Sequence, residues 1–238
     1  MIRYIFFISS LFSISSCQPK QWSDSKSWDK SKLQVAFLIM DGTYNTELTA
    51  PFDVFQHTKY RSNIQDMEVF MVAKKKDIIS TFEGIKIYPH YSYLDDSLPR
   101  IDILVIPSAI HHLDKDLEDH QMLNWVKKVA QDAKYVTSHC DGAFVLAKAG
   151  LLDSVACTTF PSDIPKMREM FPYLTIIDST WFVHDGKYIT SAGGARSFEA
   201  ALYLTEHLYG AKIAKEIAEG LVIDWNLAQV PHTIVTRK

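Results

Sequence analysis

Three stretches of this chain are apolar almost without a break and end at turn formers: LQVAFLIM (33–40), MEVFMVA (67–73) and IDILVIP (101–107). A strand with no polar alternation has no face to offer water, so other structure must cover it on both sides, as happens in a parallel sheet. The segments between such runs have helical spacing. One helical pattern covers Glu47 to Thr58, and LEDHQMLNWVKKVAQDA places Leu117, Met122, Trp125, Val126 and Val129 on one face. Further along, KYVTSH and VACTTF read as strands, DGAFVLAKAG as a short helix ended by Gly150, and PSDIPKMREMF as a helix limited by Pro165. TFEGIKIYPH reads as a hairpin around Glu83-Gly84, and STWFVHDGKYITS as one folded about His184-Asp185-Gly186. GARSFEAALYLTEHLYG and AKIAKEIAEGL close the pattern as helices separated at Gly210. Strands alternating with helices predict an α/β fold, a three-layer α/β/α sandwich around a mostly parallel sheet.

Composition agrees with one such domain over 32–238. The chain is 47% hydrophobic and 22% charged, which excludes disordered and fibrous classes. Its formal net charge is −3 and its longest basic run, Lys74-Lys75-Lys76, reads as a solvated turn, so no nucleic-acid partner is expected.

The first residues, MIRYIFFISSLFSISSC, pair a basic start at Arg3 with an apolar core from Tyr4 to Phe12 and small residues before Cys17. The apolar part is too short to span about 30 Å of hydrocarbon, so 1–16 is expected to be a signal peptide. Ile14-Ser15-Ser16-Cys17 resembles a bacterial lipobox, which implies lipidation of Cys17, with 17–31 as lipidated N-terminus and flexible tether. Gln18 at the next position resembles the pattern of outer-membrane lipoproteins, and the expected location is the cell envelope, facing the periplasm. Cys140 and Cys157 then remain as thiols, which an oxidising compartment permits to pair without requiring it.

The stretch YVTSHCDGAFVLAKAG places Cys140 where a strand stops and a helix starts, at the edge where open α/β sheets build their sites. Helix-start amides favour negative charge and would lower a thiol pKa, and Gly142 and Ala143 allow close approach of strand and helix. This is the logic of a nucleophile elbow with Cys in place of Ser. A small buried core cysteine satisfies the same pattern.

LIMDGTYNTELTAPFDVF, IDILVIPSA, TSHCDGAFVLAKAGLLD, ACTTFPSD and FVHDGKYITSAGGARSFEAALYL occur in the order of the ThiJ/PfpI family, within the class I glutamine amidotransferase-like superfamily. The likeness is nearest to the isonitrile hydratase-like branch and to the amidase-like domain of AraC-type regulators. It implies a flavodoxin-like sheet carrying a cysteine nucleophile elbow, a reactive Cys140, and an acid, Glu47, touching the thiol from the start of the first helix. An ordinary acid near a helix start would instead serve the helix dipole. The resemblance also implies oxyanion donors from the backbone N–H groups of Ala109 and Asp141, a small-molecule substrate, no cofactor, and a homodimer as a compatible assembly.

The chain departs from the family pattern in several places. Ser108-Ala109 stands where Gly-Gly is common, and Phe160 stands where many relatives have histidine, so the usual Cys-His pair is absent. Asp141 places a second carboxylate beside the thiol, which opposes thiolate formation. His139 precedes the cysteine on the strand and therefore faces the other way, as a packed or supporting residue rather than a base. His139, His111 and Phe160 are candidates to border the pocket. HHLDKDLEDH looks metal-capable but has no fixed ligand spacing, and a polar loop with a helix start explains it, so no metal site is expected. Two functions remain open: a cysteine-dependent enzyme, isonitrile hydratase-like or amidase-like, and a noncatalytic domain that binds a small molecule or senses oxidants.

Overall fold

The computed structural model describes residue 29 and residues 31–236. The expected leader 1–16, the lipidation site Cys17 and most of the tether lie outside the described residues.

The long apolar runs become β1 (Leu33–Leu38), β2 (Met67–Ala73) and β6 (Ile103–Ile106), with α1 (Asn45–Gln56) after the first. Between β2 and β6 lie the short β3 (Ile79–Ser80), β4 (Lys86–Ile87) and β5 (Tyr91–Ser92). Then come α2 (His120–Asp132), β7 (Tyr135–His139), α3 (Gly142–Lys148), β8 (Ala156–Cys157), α4 (Ile164–Met170) and β9 (Thr175–Ile176). The chain finishes with β10 (Phe182–Asp185), β11 (Tyr188–Ser191), α5 (Ser197–Tyr209), α6 (Ala211–Gly220) and β12 (His232–Val235).

The central sheet has eight strands in the order β12-β10-β11-β7-β6-β1-β2-β5. From β11 to β5 every pairing is parallel; β10 is antiparallel to β11, and β12 runs parallel to β10. Successive side chains on β1 explain its unbroken apolar run. Val35 and Phe37 enter a core with α1, α5 and α6, whereas Ala36 and Leu38 enter a second core with α2, α3 and α4. Helices therefore cover both faces, and the three-layer α/β/α arrangement follows.

Two details differ from the sequence reading. Pro165 does not limit its helix but lies in the first turn of α4, where its missing N–H leaves no bond unmade. The tail segment HTIV, given no element from its sequence, adds to the sheet as the edge strand β12, half-exposed along its length and so without a continuous apolar signature.

Candidate functional site

Cys140 follows directly after β7, and the carboxyl ends of β6, β7 and β11 meet around it. Its backbone adopts φ +53°, a left-handed conformation that costs an ordinary residue about 1–3 kcal/mol. Neighbouring atoms hold it there. Its N–H donates to the Ser191 carbonyl at 3.0 Å, and its own carbonyl accepts the Thr159 hydroxyl at 3.0 Å. Two glycines make room. A Cβ on Gly142 would lie 2.2 Å from the Ile106 carbonyl oxygen, and one on Gly193 would lie 2.3 Å from the Cys140 Cβ.

The thiol is enclosed by acids rather than bases. Cys140 is 7% exposed and Glu47, in the first turn of α1, is 5% exposed. Glu47 Oε1 accepts the Gly194 N–H at 2.9 Å, so its bond reaches across to the turn that leads into α5 instead of serving its own helix. The Glu47 carboxyl also interacts with the Cys140 thiol, while Oε2 is buried without a complete hydrogen bond. Burial, the largest cause, pushes Glu47 above the usual carboxylate range. Burial likewise pushes the Cys140 thiol far up, and the charges of Asp141 and Glu47 add to it. Against this, the nearby Ser108 hydroxyl and the Asp141 N–H favour the thiolate. The lowering expected from a helix start is thus overturned: α3 has seven residues, and desolvation with two flanking carboxyls outweighs its dipole. The opposition expected from Asp141 is present.

Ala109 also corrects the expectation. Its N–H donates to His112 Nδ1 at 3.2 Å, so in this structure that amide is already engaged and not open to an oxyanion. His112 is fully buried and burial holds it down to about 3, so the ring is neutral, with its proton on Nε2. His139 lies packed between strands, its Nδ1 2.9 Å from the Ser191 hydroxyl, and burial lowers it to about 3. It supports the strand that holds Cys140 rather than bordering a pocket. His111 pairs with Asp114 at 3.0 Å in a half-exposed loop. Phe160 is 39% exposed and follows directly on Thr159, whose hydroxyl bonds to the Cys140 carbonyl. Within HHLDKDLEDH, Asp119 caps α2 through the Gln121 and Met122 N–H groups and pairs with Lys74 at 2.8 Å, a structural use of that acid. Cys140 and Cys157 are both free; Cys157 is buried against the Thr175 carbonyl and burial pushes it up to about 12.

Thr159, Ser108, Gly194 and Tyr44 were not singled out from the sequence as site residues. Tyr44 lies against exposed Phe82, with ring centres 4.5 Å apart and planes tilted by 30°. Its phenol is pushed up by burial first and then by the charges of Cys140, Glu47 and Asp141, which places it beside the same site.

A family profile described as DJ-1/PfpI matches residues 33–207. Isonitrile hydratase of Pseudomonas putida is 29% identical over 184 residues, covering 77% of this chain and 75% of that protein. An HTH-type transcriptional regulator of Pseudomonas aeruginosa is 30% identical over 102 residues, 43% of this chain but 30% of that protein. The crystal structure of a ThiJ/PfpI family protein from Pseudomonas syringae superposes with a TM-score of 0.70 at 23% identity, over 82% of this chain and 76% of the other. That likeness bears on the fold.

Proposed function

The chain belongs to the DJ-1/PfpI family, and on that premise we propose that it is a cysteine-dependent enzyme that hydrates isonitriles to N-formyl amines. The observation that carries this reading is Cys140, held at φ +53° under Gly193 with the buried Glu47 carboxyl against its thiol. An isonitrile carbon must gain both a nucleophile and a proton. A thiol that retains its proton, beside an acid whose pKa burial raises, brings both to one point. The relative in Pseudomonas putida is the reason for testing isonitriles before small amides, the runner-up substrates.

Glu47→Gln is expected to lower kcat/KM by about 10²- to 10⁴-fold, the usual range for loss of a positioned acid-base group, without unfolding the domain. Its pH behaviour has a definite sign. The folded-state pKa of Glu47 lies above its unfolded value, so the wild type loses stability as pH rises from the ordinary carboxylate range through that raised pKa. Gln has no such loss, and urea midpoints at pH 4 and pH 8 should show the variant gaining on the wild type at the higher pH.

The binding-only alternative draws support from the same high thiol pKa, since a protonated buried thiol is a poor nucleophile at neutral pH. It requires that Cys140→Ala keep ligand affinity with no turnover to lose. Oxidant sensing fits less well because it needs a thiolate. A lipid anchor at Cys17 in the bacterial envelope is part of the proposal and rests on the Ile14–Cys17 motif. Metabolic labelling with an alkyne fatty acid in a lipoprotein-processing host should mark the wild type; equal labelling of Cys17→Ser would count against the anchor.

A further inference from the structure

The Asp141 side chain occupies a position that its ordinary role does not explain. It stands at the residue preceding α3, where Asp normally caps the helix, yet its carboxylate makes no capping bond. It is 8% exposed. The Thr159 hydroxyl bridges it to the nucleophile's backbone, with 3.3 Å to Asp141 Oδ1 and 3.0 Å to the Cys140 carbonyl oxygen. Burying a carboxyl without using it as a cap lowers stability, so the arrangement calls for another use. On the reading of the site given above, we propose that the Asp141 carboxyl is a second catalytic acid-base group, moving a proton between water and the Cys140 sulfur in the place left without a histidine by Phe160.

The groups facing Asp141 fit this role. They are the Cys140 thiol and Asp163, both near enough to bear on its ionisation, and the Tyr44 phenol, which feels its charge. Burial, and after it the negative charge of Asp163, pushes Asp141 up to about 7, so both protonation states are populated near neutral pH.

The proton balance closes. Addition of the thiol across the terminal carbon forms S–C and C–H bonds, the hydrogen being the one lost from sulfur, and gives an S-linked thioimidate. Water then attacks that carbon: Asp141 takes one water proton, and the Glu47 carboxyl gives its proton to nitrogen. In the collapse the new hydroxyl returns a proton to Glu47 as C=O forms and the S–C bond breaks. Asp141 delivers its proton to the departing sulfur. The sum is isonitrile plus water giving the N-formyl amine, with both carboxyls restored.

The test is Asp141→Asn in the full chain, followed by intact-protein mass and product formation with an alkyl isonitrile. The expected result is thioimidate formation within about threefold of wild type, with formamide release slowed about 100-fold or more so that adduct accumulates. Release at the wild-type rate would overturn the proposal, as would equal loss of both steps in a folded variant. Asp163→Asn, which removes the charge beside Asp141, should shift the limb of the release profile near pH 7 to lower pH; an unmoved limb would count against Asp141 as its source. A wild type that forms neither adduct nor product rejects the isonitrile reading itself. Asp141 is then judged by iodoacetamide alkylation of Cys140 from pH 5 to 9. An inflection near pH 7 that Asp141→Asn removes retains its proton exchange with the thiol, and identical profiles reject it.

Discussion

Gly193→Ala is expected to cost the domain about 3 kcal/mol or more and to abolish the site. The backbone at φ +76° and ψ −162° lies in a region essentially reserved for glycine and carries a penalty of about 1–3 kcal/mol for any residue with a Cβ. The new methyl would also lie 2.3 Å from the Cys140 Cβ, 2.7 Å from its N and 2.8 Å from its Cα. Those atoms belong to a backbone already fixed by Ser191 and Thr159, so they cannot swing aside as a flexible side-chain end would. Overpacking of this kind adds about 1–3 kcal/mol. Urea or thermal denaturation should show it as a drop in Tm of roughly 10 °C for a domain of this size. Gly186→Ala is the control. Its φ is +64°, but a Cβ there meets nothing within 4 Å, so it should cost only the conformational penalty. Equal stability of the two variants would mean that the close contact on Cys140 does not shape the turn.

Cys140→Ala is expected to reduce formamide formation by about 10⁴-fold or more, as when a covalent nucleophile is removed. The fold should survive, because Ala keeps the Cβ that packs against Gly193 and loses only a sulfur enclosed by two carboxyls. Relief of that crowding should hold Tm within a few degrees of wild type. Cys157→Ser is the matching control on activity, since Cys157 is bonded to the Thr175 carbonyl and flanks no acid of the site. Activity retained in Cys140→Ala would move the chemistry elsewhere; activity lost equally in both variants would indicate a folding effect.

The central strands were legible because β1 and β6 are buried at every position, so they show short, nearly unbroken apolar runs between turn formers. The edge strand β12 was not, because three of its residues are only half-buried and the fourth is exposed, so it has no such run. The turn at Cys140 could be read from the passage of KYVTSH into DGAFVLAKAG. Its electrostatics could be read only in part. The repulsion from Asp141 follows from adjacency in the chain, but the dominant cause, desolvation, depends on Glu47 and the Gly193 segment packing around Cys140 from more than fifty residues away. The Ala109 amide failed for a similar reason: nothing in SAIHHL says which histidine turns back to accept its proton, and the structure selects His112. Thr159 carries no signal in the TTFP motif, because a threonine hydroxyl there serves a strand end as well as it serves the Cys140 carbonyl that it bonds in the structure.

On the proposed mechanism Cys140 and Glu47 act as one thiol-acid unit. This is tested most directly by the rate of Cys140 alkylation against pH in the folded protein, with Cys157→Ser as background and Glu47→Gln as comparison. Cys140 should react without unfolding, and Glu47→Gln should shift its profile to lower pH, because Gln cannot take on the negative charge that opposes the thiolate once Glu47 ionises at higher pH. A Cys140 that stays silent until the domain unfolds, or a profile untouched by Glu47→Gln, would contradict that mechanism and leave the cysteine as a packed residue at a tight turn.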